Sequence, residues 1–283
     1  MKPPVTYLFV PGNRPERFDK AVRAMPDAVI LDLEDAVHPA AKEAARAAVA
    51  RWHAATPAGG ARRHIRINAA STAEFEATWR GCWRCRRPGA ATPSCCPRRK
   101  RRSRSLNWRN GCTAGSPMPN LWRSSRPLAG WPMSRQLRRC PAVSRLASGS
   151  LDFSLDLGCE EAPEAFLHAR SRIVLASRLA SLPAPVDGIT PDFARLDAVR
   201  ADAAHARRLG FGAKLCIHPV QVSPVREIFA PDALRLDWAQ RVLVAAQDNH
   251  AVQVDGKMVD LPLIEQAQRV LLAQSTDRKP AAT

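Results

Sequence analysis

At 283 residues the chain can bury a large core, and α/β barrels of this length commonly fold as one domain. Its formal charge of +17 would point to nucleic acid or an anionic membrane surface, but the charge is local. Fifteen of the 43 Lys and Arg lie between Gly81 and Cys140, a stretch without Asp or Glu, which leaves 28 basic against 26 acidic residues, or +2, elsewhere. The same window holds six of the eight cysteines, and only Cys159 and Cys216 lie outside it, so the rest reads as a reduced, cytoplasmic protein rather than a disulfide framework. No apolar run reaches the ~18 residues of a membrane span. Tyr7–Val10 is ended by Pro11–Gly12 before a secretory apolar region could form. The expectation is a soluble protein that binds neither membrane nor nucleic acid.

In chain order, Val5–Val10 reads as a strand stopped by Pro11–Gly12, and Arg17–Met25 follows with helical spacing. Ala28–Leu33 is a continuous apolar run ending in acids, as a parallel strand buried on both faces would be. Ala40–Trp52 is an Ala-rich helix, His64–Asn68 a third strand, and Ser71 with Glu74 opens a helix toward Trp79. The rhythm resumes with strand Val143–Ala147, helix Ala162–Leu182, strand Val186–Ile189, helix Ala194–Leu209 and strand Ala213–Ile217. A helix over Asp237–Asp248, a hairpin over Val252–Val259 turning at Asp255–Gly256, and a helix over Leu261–Gln274 end the pattern, with 275–283 as a tail. Alternating strands and helices predict the α/β class, with a parallel sheet and crossover helices.

Residues 81–140 fit no such rhythm, and ~60 irregular residues inside a compact domain count against any assignment. They read instead as an out-of-frame translation. With the frame offset by one base, Cys95–Cys96 must encode Leu and Trp131–Pro132 must encode Ala. GC-rich codons elsewhere give peptides such as DAVLLPK, LEVAELAQRL and LVALIE: a strand, an amphipathic helix and a strand. Two other readings compete. Cys82, Cys85, Cys95 and Cys96 could ligate zinc, although an adjacent pair suits tetrahedral ligation poorly. The Arg and Trp content could also bind RNA, making the chain a non-enzymatic basic module on a degenerate barrel.

Outside that window six stretches stand in order: LFVPGNRPERF, AVILDLEDAV, HIRIN, RLASGSLDFSLDLG, GAKLCIHPVQV and VDGKMVDLP. Together they resemble the citrate lyase β-subunit-like branch of the HpcH/HpaI aldolase superfamily. The resemblance implies a (β/α)8 TIM barrel over residues 1–230, with its fourth and fifth strands disrupted by the anomalous window. A helical and hairpin lid over 231–274 would follow, and the assembly would be a homotrimer. The implied activity is Mg²⁺-dependent cleavage of a CoA thioester of the malyl-, citramalyl- or citryl-CoA type, impaired in the chain as written.

The resemblance assigns Asp152, at the carboxyl end of a predicted strand, as a Mg²⁺ ligand; the plain alternative is a helix N-cap. A second metal carboxylate would be encoded across Ser125 and Arg126 and is absent. Arg66 is assigned to the substrate carboxylate, which a guanidinium can grip through two parallel bonds; the alternative is a surface salt bridge, as for Arg62 and Arg63. Asn68 would help bind substrate or serve only as a turn residue. Glu34 and Asp35 are candidates for the metal's outer shell, with pairing to Lys42 or Arg46 as the alternative. Asp260 is the implied catalytic acid–base, or else a turn acid. His218 reads as a packed histidine and Cys216 as an inert buried thiol.

Overall fold

The computed structural model describes residues 3–57, 60–68, 72, 74–75, 121–124, 143–247 and 251–274, with the backbone alone at 121–124. The rest of the 81–140 window, the residues expected to form zinc or RNA contacts, most of the helix expected from Ser71, and the tail lie outside the described residues. One compact unit spans Pro4–Val225, and a second begins at Arg226.

In the first unit, strands β1 (Thr6–Pro11), β2 (Ala28–Asp32), β3 (Arg62–Arg66), β4 (Leu121–Ser124), β5 (Val143–Ala147), β6 (Val186–Asp187) and β7 (Ala213–Cys216) form one sheet. Its order is β3-β2-β1-β7-β6-β5-β4, and every pairing is parallel. The first and last strands are neighbours, and the chain order is broken only between β3 and β4. That is the cyclic order of a barrel wall rather than the switch-point order of a doubly wound sheet.

Helices cross between the strands: α1 (Phe18–Arg23), α2 (Lys42–Ala55), α3 (Ser150–Leu157), α4 (Pro163–Leu179) and α5 (Leu196–Leu209). Helix α2 forms because alanine carries the best helix propensity, and it buries Lys42, Ala45, Ala48 and Val49 along one stripe. Trp52 fixes it to α1 by donating to Asp19 at 2.8 Å and packing edge-on against Phe18. Helix α5 ends at Gly210, whose φ of +97° closes a left-handed cap. Helices α3 and α6 (Val222–Phe229) were not expected from the sequence.

Strand residues alternate between two faces. Tyr7, Ala28, Ile30, Ala147, Val186, Ala213 and Leu215 form one apolar cluster, with Phe9 and Ile189 against it. Arg145 alternates onto that face and sits near the amino ends of the strands, donating to the Pro4 and Ala184 carbonyls and to Tyr7 Oη at 3.1 Å. Burial pushes its guanidinium below the ordinary arginine value, against the opposing pull of Tyr7. The opposite face carries its own ion cluster. Lys214, 2 % exposed, meets Asp187 at 3.2 Å and donates to the Gly188 carbonyl at 2.9 Å. Arg170 of α4 approaches Asp187 from the helix layer at 2.9 Å.

The second unit comprises α7 (Ala233–Ala245), the hairpin β8 (Val252–Val254) with β9 (Lys257–Val259), and α8 (Leu261–Gln274). Asp255 and Gly256 both take positive φ, as a two-residue turn matched to strand twist requires. Ala239, Val242, Val254, Val259, Ile264, Ala267 and Val270 form its own core. Among the described residues no helix is long and apolar enough to cross a membrane.

Removing one member of a buried ion cluster strands its partner in a poorly solvated site. Lys214→Met is therefore expected to lower unfolding free energy by about 3 kcal/mol in chemical denaturation. A loss under about 1 kcal/mol, the worth of an exposed pair, would show that Asp187 is solvated or held by Arg170 alone.

Candidate active site

The parallel register of β1, β2 and β3 brings Pro11, Asp32 and Arg66 level at the carboxyl ends of their strands. Arg66 lies one strand from Asp32 on the same face, and their side chains meet edge to edge. Arg66 Nε donates to Asp32 Oδ1 at 2.8 Å and Nη2 to Oδ2 at 2.5 Å. Its Nη1 donates to Asp35 Oδ2 at 3.0 Å and lies 3.6 Å from Glu34 Oε2. Below, the Phe9 ring stands 4.9 Å from the guanidinium carbon. Burial alone would lower the Arg66 pKa, but hydrogen bonding and charge from Asp32, then the charges of Asp35 and Glu34, hold it above its ordinary value.

Asp32 is the centre of this cluster. It is 2 % exposed, and its carboxylate also accepts from the Glu34 amide at 2.8 Å and the Ala36 amide at 3.3 Å. The loop that carries Glu34 and Asp35 is pinned by buried Lys42, whose ammonium donates to the Leu33 and Glu34 carbonyls at 2.9 and 2.8 Å. Three carboxylates thus gather around one guanidinium, over a loop held by one buried ammonium.

These positions revise several expectations. Glu34 and Asp35 pair with Arg66, not with Lys42 or Arg46; Lys42 spends its donors on backbone carbonyls. The strand runs Arg62–Arg66 instead of His64–Asn68, so Arg66 is its last residue and Asn68 lies beyond it. Arg63 is not merely solvated: it donates to the carbonyls of His53, Thr56 and Pro57 and closes the end of α2. Asn68 Oδ1 is buried, with no hydrogen-bond partner among the described residues. Asp32 itself was overlooked in sequence, where it reads as the last member of an apolar run.

Asp152 follows β5 at the carboxyl end of the sheet, as expected, but it is not an N-cap. Gly149 is the N-cap, and Asp152 occupies the first turn of α3, where a carboxylate opposes the positive end of the helix dipole. It is half-buried, and it is not among the partners of Arg66. Gly188, at the end of β6, permits this helix start: a Cβ there would meet Ser150 Oγ at 2.8 Å. Asp260 is exposed in the second unit, its carbonyl accepting from Leu263 and Ile264 in the first turn of α8. His218 caps the turn after β7, accepting from the Val220 amide, and stacks on Phe193 at 4.5 Å. Cys216 is a fully buried thiol outside any disulfide.

A hard Mg²⁺ ion takes one or two carboxylates and completes its shell with water or substrate oxygen. Among the described residues no three His, Cys, Asp or Glu side chains are gathered to hold a metal without such help. Asp152 has the donor chemistry of a Mg²⁺ ligand. Ser125 and Arg126, at the expected second ligand, supply no carboxylate. The side chains present therefore fit such an ion through one carboxylate, Asp152.

The sequence profile of the HpcH/HpaI aldolase/citrate lyase family matches residues 6–82 and 137–219. A citrate lyase subunit beta-like protein of Deinococcus radiodurans is 32% identical over 94% of this chain and 95% of its own length. A mitochondrial citramalyl-CoA lyase of Rattus norvegicus is 27% identical over 96% of this chain and 86% of its own. Among solved structures, CitE of Mycobacterium tuberculosis in complex with magnesium, acetoacetate and coenzyme A superposes with a TM-score of 0.74 at 25% identity, covering 96% of this chain and 98% of that one.

Close packing at the head of the cluster gives a direct test. Gly12 donates to the Asp32 carbonyl at 2.8 Å, and a Cβ on Gly12 would stand 2.7 Å from that oxygen and 2.6 Å from Leu33 Cδ2. Gly12→Ala is expected to cost about 2 kcal/mol by overpacking. Thermal denaturation checks it; a melting temperature equal to that of the unmodified protein would mean that β1 and β2 are not held at this spacing.

Proposed function

The chain belongs to the HpcH/HpaI aldolase/citrate lyase family, and from that premise we propose that it is a Mg²⁺-dependent carbon–carbon lyase. Its substrate is a 3-hydroxy-carboxyacyl-CoA of the malyl-, citramalyl- or citryl-CoA type, and its products are an acyl-CoA and a 2-keto acid. The observation that carries the reading is the Arg66 cluster: a guanidinium fixed at the carboxyl rim of a parallel sheet, with one edge held by buried Asp32 and the other against exposed Asp35. A citramalyl-CoA lyase relative and a CitE structure that holds magnesium, acetoacetate and coenzyme A support it. The RNA-binding alternative has no support: its charge comes from the 81–140 window, and the relatives that match the rest are enzymes of CoA esters.

Each residue then has a task. Arg66 holds the substrate carboxylate by charge-assisted hydrogen bonding from the side that Asp32 leaves open. Asn68, with its buried amide oxygen, accepts a hydrogen bond from a substrate hydroxyl or a water beside it. Asp152 would hold Mg²⁺, with Glu34 and Asp35 accepting from water around it; the ion would supply Lewis-acid polarisation of the oxygen that becomes the keto group. Asp260 exchanges the proton at the acyl carbon within a homotrimer. The parallel sheet is the wall of a (β/α)8 barrel.

Residues 81–140 are, in this reading, out of frame. Supporting this, the family profile stops at 82 and resumes at 137, within a few residues of the limits set by composition. The chain as written then lacks one metal carboxylate and works poorly. Mass spectrometry of the natural protein should find peptides containing LLPKAE, not the SCCPRRK sequence.

Keto-acid release from malyl-, citramalyl- and citryl-CoA tests the activity. The frame-restored protein should cleave at least one of them, stop when EDTA is added, and lose about 100-fold in kcat/KM on Arg66→Lys, since lysine cannot reproduce the planar fork. The chain as written should be far slower. Absence of keto acid from all three substrates with Mg²⁺ present would sink the lyase reading.

A further inference from the structure

We infer that Asp32 is the positioning residue that aims Arg66 at the substrate carboxylate, an inference that rests on the lyase reading of that site. A guanidinium offers five N–H donors on distinct edges. Asp32 takes the inner edge, Nε and Nη2, with one oxygen on each nitrogen. That leaves Nη1 pointing outward, where Asp35 and Glu34 now stand.

The two kinds of carboxylate partner differ in how easily they can leave. Asp32 is 2 % exposed, and its oxygens also accept from two backbone amides, so it cannot turn away without orphaning four donors. Its backbone is fixed on both sides, by the Gly12 amide on its own carbonyl and by Lys42 on the next two. Asp35 has a side chain 53 % exposed and reaches Arg66 at Nη1 alone. A ligand carboxylate can therefore replace Asp35 at Nη1 while Asp32 keeps the fork in place. Phe9 beneath the plane stops the guanidinium from dropping into the sheet interior.

Two measurements on the frame-restored, full-length parent protein test this. Arg66 Nε–H is expected to give a resolved, slowly exchanging signal in ¹⁵N–¹H spectra, and Asp32→Asn should abolish it. Calorimetric titration with oxaloacetate and Mg²⁺ should show at least a tenfold or so weaker affinity in Asp32→Asn, the scale of a lost charge-assisted bond. In an Arg66→Gln background the same change should have almost no further effect, because Asp32 acts through Arg66. Should Asp32→Asn not fold, Arg66→Lys reads the same edge from the other side: a lysine cannot bridge both oxygens, and affinity should fall comparably.

Persistence of the Arg66 signal in Asp32→Asn overturns the inference, as does an equal loss of affinity with or without Arg66. So does an Arg66→Lys protein that binds oxaloacetate like the parent. If the parent protein binds no oxaloacetate while its Arg66 signal depends on Asp32 as described, the lyase reading fails and the positioning contact stands.

Discussion

The parallel register between β2 and β3 is the constraint from which the rest follows. It sets Asp32 opposite Arg66, and because strand side chains alternate, a slip of one residue would turn both to the helix side. Register in a sheet buried on both faces is strongly specified. The run Ala28–Asp32 is buried at every position, and each neighbour fixes it by a full ladder of hydrogen bonds. The geometry of the guanidinium is thus a consequence of apolar packing several residues away, not of the charged groups that surround it.

The three charged clusters of the first unit fall at different places in the sheet and do different work. Arg145 fills the amino end with neutral carbonyls and a phenol as partners, so it satisfies backbone groups but offers nothing to a ligand. Asp187, Lys214 and Arg170 join the outer face of the sheet to a helix, where the ion cluster fixes how the layers meet. The cluster at the carboxyl rim, by contrast, has a half-exposed member, Asp35, and Asn68 beyond the end of β3 brings a buried acceptor without a partner among the described residues. In barrel folds that rim carries chemistry and the opposite end carries stability. The division of charges here follows the same logic.

Much of this was legible because it rests on periodicity. Val143–Ala147, Leu261–Gln274 and the Asp255–Gly256 turn have the limits expected of them, since an apolar run, a helical stripe and a two-residue turn are local signals. What escaped was whatever depends on a partner far along the chain. Asp32 closes an apolar run and gives no sign of its role until β3 lies beside it. Lys42 looked like a surface partner for Glu34 because side chains suggest side chains, whereas the vacant acceptors were backbone carbonyls. Helix α3 was missed because GSLDF reads as a strand end, and α6 because Pro219 and Pro224 look like breakers, although proline is tolerated in a helix's first turn. The global charge misled most: fifteen basic residues in one window gave the whole chain a character that its folded parts lack.

An arginine already surrounded by carboxylates looks, at first sight, a poor receptor for another. The energetics run the other way. A bare guanidinium in a partly buried rim would have lost its water without replacement, and binding would then compete with its tendency to swing toward solvent. Held by Asp32 and covered by Asp35, it exchanges one carboxylate for another at nearly constant hydrogen-bond count, so little of the ligand's affinity is lost to desolvation or to ordering the side chain. The net attraction must then come from what the displaced acid does not supply: a metal-coordinating hydroxyl or keto oxygen beside the carboxylate. In the proposed role of Arg66, selectivity for a 2-keto or 2-hydroxy acid over a simple carboxylate follows from that exchange, because a ligand with nothing but a carboxylate offers Arg66 no more than Asp35 already does.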